Sequence, residues 1–175
     1  MSMGFEKIRK SALKDVAEFM CVSARTAPKA RGTDNLVIMI LDESEKEKII
    51  QRMKKISERD SRPSFLRDAG NIVHADYIVL IGTKSQPLGL NCGFCGKGTC
   101  EELKKIKGVC AINSMDLGIA IGSSVSIAGA YHVDNRLMFS IGKAAMEENF
   151  FIENVAQAIG IPLSATGKNP FFDRT

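Results

Sequence analysis

The chain has 175 residues, 45% hydrophobic and 25% charged, a balance that supports a buried core and excludes a disordered or collagen-like chain. Its net charge of +4 is spread along the sequence rather than gathered into one block, so charge gives no ground for a nucleic-acid partner. No secretory leader is evident in "MSMGFEKIRKSALKDV", and the longest uncharged run, residues 117–133, is too rich in serine and glycine for a good membrane span. The expectation is a cytoplasmic protein that engages neither membrane nor nucleic acid.

Residues 4–24 predict a helix, with Phe5, Ile8, Ala12, Val16, Phe19 and Met20 at helical spacing. Cys21 falls on its apolar side and reads as a small hydrophobe. The stretch "SARTAPKARGTDNL" (23–36) then breaks the pattern with Pro28 and Gly32. Its Arg25, Lys29 and Arg31 form a three-cation set suited to a phosphate. The plainer alternative is a solvated basic loop in which Asp34 pairs with one of them. "LVIMIL" (36–41) suits a buried strand, and "ESEKEKIIQRMKKISERD" an exposed helix burying Ile49, Ile50, Met53 and Ile56. A helix over Ser64–His74, capped by Ser64, and a second buried strand over 76–83 follow.

Beyond the second strand, residues 101–106 have room for a helical turn or two, and 114–130 predict a long helix of small residues. Gly118, Gly122, Ser126 and Ala130 recur every four positions, a ridge that lets another backbone come close. That ridge suits either a tightly packed core helix or a homodimer interface. "DNRLMFSIGKAAMEEN" predicts a further helix, and the last segment a strand through Ile161 with an irregular basic tail. His74 and His132 lack partners at metal-ligand spacing and read as surface residues. Strands alternating with helices imply an α/β (α+β) sandwich in one layered domain over 1–175, with no linker or repeat.

Four of the five cysteines, Cys92, Cys95, Cys100 and Cys110, lie within nineteen positions in the spacing C-x2-C-x4-C-x9-C. In a reducing compartment such a cluster points to metal rather than to disulfides. Gly93, Gly96 and Gly98 permit the tight turns that fold thiolates onto one centre, and Lys97, Lys104, Lys105 and Lys107 are expected to surround it. Structural zinc usually wants two closely spaced ligand pairs, which Cys100 and Cys110 do not supply. A 4Fe–4S cluster fits better; zinc and unligated thiols remain the alternatives.

"TKSQPLGLNCGFCGKGTCEE", "DLGIAIGSSVSIAGAYHVDNR" and "GIPLSATGKNPFFDR" resemble a bacterial and archaeal family of uncharacterised proteins containing a ferredoxin domain, over nearly the whole chain. "CGFCGKGTC" is also similar to the iron–sulfur module of corrinoid and carbon-monoxide-pathway proteins, whose fourth cysteine lies further along than Cys110. Ala24, Ala27 and Pro28 resemble a flavin-dependent nitroreductase motif, with Lys29 in place of its serine; Gly160, Ile161 and Pro162 resemble that family's Gly-Tyr-Pro. The resemblances imply a nitroreductase-like sheet-and-helix sandwich with residues 88–112 as an inserted metal-binding loop. They also imply FMN held through Arg25, Lys29 and Arg31, and a homodimer with interlocked helices. The function expected is iron–sulfur electron transfer, with FMN making the chain a flavin/iron–sulfur oxidoreductase. A redox partner protein or a small molecule would supply the electrons. The rivals are a non-catalytic zinc-stapled protein and a metal or redox sensor.

Overall fold

A computed structural model describes residues 4–172; Asp173 and Arg174, at the end of the nitroreductase-like tail, lie outside the described residues. In chain order the elements are α1 (Phe5–Thr26), a single 3-10 turn (Ala30–Gly32), β1 (Leu36–Leu41), α2 (Glu43–Asp60), α3 (Pro63–Ile72) and β2 (Tyr77–Lys84). Then come α4 (Cys100–Lys105), α5 (Ala111–Ala130), β3 (Asp134–Asn135), α6 (Phe139–Glu147) and β4 (Val155–Ser164).

Every side chain from Ile78 to Thr83 is buried, because the sheet is covered on both faces. Successive strand residues point to opposite faces. Ile78 and Leu80 therefore join one core, with Ile49, Met53 and Phe65 from α2 and α3 and Ile141 from α6. Val79 and Ile81 join the other, with Leu13, Val16 and Met20 from α1 and Leu117 and Ile121 from α5. This is the α/β sandwich expected. The strand order is β1-β2-β4-β3, and every pairing is antiparallel. A single crossover helix would have returned the chain parallel. Two helices, α2 and α3, intervene between β1 and β2 and deliver it to the opposite end.

Local chemistry fixes several boundaries. Asp42 and Glu45 form a reciprocal capping box at the start of α2. The next helix begins at Pro63, not at a Ser64 cap, because proline tolerates the first helical position, where no N–H partner exists. Residues 134–138, expected to be helical, instead form β3 and an approach to Gly160, so α6 starts only at Phe139. The expected inward stripe of α1 is also corrected. Leu13, Val16, Ala17, Met20 and Ala24 are buried, while Phe5, Ile8, Ala12 and Phe19 face outward.

α5 packs on α1, where the Ser23 and Ser123 hydroxyls stand 2.6 Å apart. Its inner face buries Asn113, Asp116, Leu117, Ala120 and Ser124. The small-residue ridge lies on the opposite side: Gly118, Gly122, Ser126 and Ala130 are exposed, so the packed-core alternative does not hold. Among the described residues, α5 is the one helix long and apolar enough by composition to cross a membrane, with mean hydropathy 1.2.

One close approach makes a sharp stability test. A Cβ built on Gly142 of α6 would sit 1.8 Å from the Ala158 carbonyl oxygen of β4. Gly142→Ala is therefore expected to destabilise the fold by about 3 kcal/mol, seen as a lower urea midpoint at unchanged slope. Gly70→Ala, in α3 with nothing within 4 Å of the new methyl, should stabilise by up to about 1 kcal/mol.

Candidate metal centre

After Lys84 the chain leaves the sheet and turns repeatedly before α4 begins at Cys100. Gly89, Asn91, Gly93 and Gly96 take positive φ values of 75°, 49°, 74° and 76°. Glycine adopts that region without a Cβ penalty, and asparagine tolerates it. Gly98 is not left-handed; its N–H donates to Glu102 Oε2 at 3.1 Å. The Thr99 hydroxyl oxygen accepts the Glu102 N–H at 3.2 Å and caps α4.

Asn91 brackets Cys100. Its backbone N–H lies 3.4 Å from the Cys100 sulfur, and its Oδ1 accepts the Cys100 N–H at 2.8 Å. A donor aimed at sulfur tunes whatever that sulfur ligates. Cys110 sits at the N-cap of α5, 7% exposed, beside the positive end of a 20-residue helix dipole. Cys92, Cys95, Cys100 and Cys110 line one small cavity, walled by apolar side chains that include Leu88 and Leu103. Among the described residues no group of three or more His, Cys, Asp or Glu side chains converges tightly enough to hold one metal ion. The four cysteines thus share a cavity without meeting at a point. Cys21 is not among its lining residues; burial pushes its thiol up to about 11, so it stays protonated at neutral pH.

The lysines divide. Lys97 lines the cysteine cavity, whereas Lys104 and Lys107 line a different groove with Val109, Asn154 and Val155. Lys104 also bonds Glu101 at 2.7 Å, which holds the Glu101 carboxyl below its ordinary range. The expected ring of four lysines around the sulfurs is therefore not what forms.

The basic loop is tied down. Lys29 Nζ donates to the carbonyls of Arg25 and Ala27 at 2.6 and 2.8 Å, satisfying orphan acceptors at the end of α1. Arg25 pairs with Asp34 and donates to the Leu36 carbonyl at 3.1 Å. Burial raises the Asp34 carboxyl, but the Arg25 hydrogen bond, the Leu36 N–H and the charges of Arg25 and Lys29 together outweigh it, and the net shift is downward. Arg31, at φ 58°, makes a 3.4 Å bond to the Leu88 carbonyl at the entry of the cysteine segment.

Two buried residues missed by the sequence reading join these loops. Asp116 accepts the Ala30 N–H at 3.1 and 3.2 Å. Asn113 donates to the Gln86 carbonyl at 2.8 Å and accepts from Asn35 Nδ2 at 3.2 Å. The first turns of α5, just behind Cys110, therefore fasten both the basic loop and the cysteine segment. Their only signal was an asparagine and an aspartate at helical spacing in a helix otherwise made of apolar residues, glycines and serines.

Residues 107–174 match the family model described as an uncharacterized protein containing a ferredoxin domain (DUF2148), a stretch that includes Cys110. A protein from Archaeoglobus fulgidus, described only as uncharacterized, is 38% identical over 99% of this chain and 98% of its own length. The chain belongs to this ferredoxin-domain family. Its fold is nitroreductase-like. Similar solved structures include a nitroreductase with bound FMN from Bacteroides fragilis, at 13% identity, 88% of this chain, 79% of that chain and TM-score 0.58. Another is a putative nitroreductase in complex with FMN from Desulfovibrio desulfuricans, at 10% identity, 93% of this chain, 79% of that chain and TM-score 0.59. NfrA2 of B. megaterium is 15% identical over 89% of this chain with TM-score 0.56, and this family member spans only 58% of that protein's length.

Proposed function

We propose that this protein is an iron–sulfur electron-transfer protein in which Cys92, Cys95, Cys100 and Cys110 hold a 4Fe–4S cluster. The observation that carries the reading is the shared cavity: residues far apart along the loop, at the start of α4 and at the start of α5 bring four sulfur-bearing side chains to one apolar-walled space. The family's ferredoxin-domain description supports it. So does the spacing of the cysteines along the chain: structural zinc usually takes two closely spaced ligand pairs, which Cys100 and Cys110, with nine residues between them, do not supply. When bound, the cluster supplies one-electron chemistry. Asn91 would donate to the Cys100 thiolate, Cys110 would draw on the α5 dipole, and the leucines would limit water.

A flavin is the second part of the proposal. It rests on the FMN carried by similar folds and on the cations of the loop at 25–31. Arg25 and Lys29, already bonded to Asp34 and to helix carbonyls, would shape that loop, and Arg31 would offer its remaining donors to the phosphate.

Anaerobic purification is the test. A brown chain with about four iron and four sulfide is the expected result. A colourless chain carrying one zinc overturns the cluster, and a chain that takes up no FMN on reconstitution overturns the flavin alone.

A further inference from the structure

We propose that the groove between α4 and the start of β4 is the docking surface for an acidic electron-transfer protein. This rests on the iron–sulfur reading above. The groove, about 490 Å³, is lined by Lys104 and Lys107, by Val109 and Val155, and by Ser85 and Asn154. Its lining residues adjoin those of the cysteine cavity along the chain: Cys100 and Lys104 stand one turn apart on α4, and Val109 immediately precedes Cys110. A partner seated there lies against the peptide that carries two of the four cysteines.

The chemistry of the surface selects the partner. Lys107 forms no ion pair among the described residues, and the Lys104 pairing with Glu101 is an exposed one, worth little against a partner's carboxylates. Glu153, on the neighbouring depression, is paired with Lys84 at 3.6 Å. From Leu88 to Ile112 the chain carries four lysines against two glutamates. A cluster with four thiolates is itself anionic, so the lysines also screen it from an acidic partner. Around the groove Ile106, Val109 and the fully exposed Ile152 offer apolar surface that a small anion would leave wet. A modest apolar centre with a charged rim is the pattern of weak electron-transfer encounters, in which charge sets the on-rate. In the complex one electron would pass from the partner's reduced iron centre to a cluster held by the cysteines of this chain. No bond forms or breaks, and no proton moves.

The test reads binding rather than turnover. An acidic plant-type ferredoxin is titrated into the purified chain by calorimetry at an ionic strength of about 20 mM and again at about 300 mM, with basic cytochrome c as the counter-probe. The ferredoxin should bind at low salt and lose about tenfold or more in affinity at high salt. K104E/K107E should lose about tenfold at low salt, whereas K54E/K55E, on the exposed side of α2, should not. If K104E/K107E fails to fold by circular dichroism, K104Q/K107Q replaces it, with a smaller loss of about threefold.

Equal affinities for wild type and K104E/K107E, or tighter binding of cytochrome c, overturn the proposal. So does inorganic phosphate filling the groove while ferredoxin does not bind, which would assign it to a small anion. The two readings fail separately. A chain without iron that still binds ferredoxin through Lys104 and Lys107 sinks only the cluster. A brown chain indifferent to K104E/K107E sinks only the docking surface.

Discussion

Cys110→Ala should abolish the chromophore expected of the proposed 4Fe–4S cluster and leave about three or fewer iron atoms per chain, while Cys21→Ala keeps the full spectrum. Cys110 makes the sharper test than the loop cysteines for a structural reason. It occupies the N-cap of α5, yet its side chain makes no capping hydrogen bond, so alanine removes a sulfur without removing a cap. Truncating one small buried side chain costs about 1–2 kcal/mol, which leaves a folded chain whose iron can be counted. Cys92→Ala and Cys100→Ala should move iron content in the same direction. Iron, sulfide and the visible spectrum, read beside far-UV circular dichroism, decide the matter. An unchanged chromophore in Cys110→Ala would put the fourth ligand elsewhere.

What was legible beforehand follows from which interactions are local. Residues 36–41 and 76–83 read as strands because burial on both faces leaves a continuous apolar stretch within each. Their antiparallel pairing was not legible, since it depends on two helices rather than one intervening. Phe5, Ile8 and Phe19 show the limit of periodicity. They repeat at helical spacing and still face outward, because spacing finds an apolar stripe without saying what it packs against. At the site, the cysteine spacing and the turn-forming glycines at 93 and 96 were readable from local chemistry. Asn91, Asn113 and Asp116 were not, because each acts on a backbone group distant in sequence or fixed only by the folded loop. Sequence neighbours also misled: Lys104 and Lys107 lie close to cysteines in the chain, but α4 and the turn after it carry them into a separate groove.

The outward faces of α1 and α5 carry the second large expectation: we infer that two copies of this chain pair through them, and that Gly122→Glu converts the dimer into a monomer. On α5, Met115, Gly118, Ile119, Gly122, Ser126 and Gly129 form one exposed stripe at helical spacing, with Met115 and Ile119 about half exposed. Beside it Phe19 of α1 stacks on Tyr131 with ring centroids 6.2 Å apart, and Val22 is 60% exposed. Contiguous apolar surface of this kind marks an interaction site. The glycines specify its shape. A Cβ at Gly118, Gly122 or Gly129 would meet nothing within 4 Å inside this chain, so the fold does not need those positions empty, whereas a closely approaching helix would. Gly122→Glu therefore leaves the protomer as stable as before or more so, since glutamate is the better helix former. In the dimer it would place a side chain and a charge at the point of closest approach. Light scattering after size exclusion should give twice 19.1 kDa for the wild type and 19.1 kDa for the variant. A monomeric wild type, or a variant that remains dimeric, would show that these faces meet something other than a second copy. If FMN binds the wild type and not the monomeric variant, the flavin pocket is completed by the partner; if it binds both, one chain suffices.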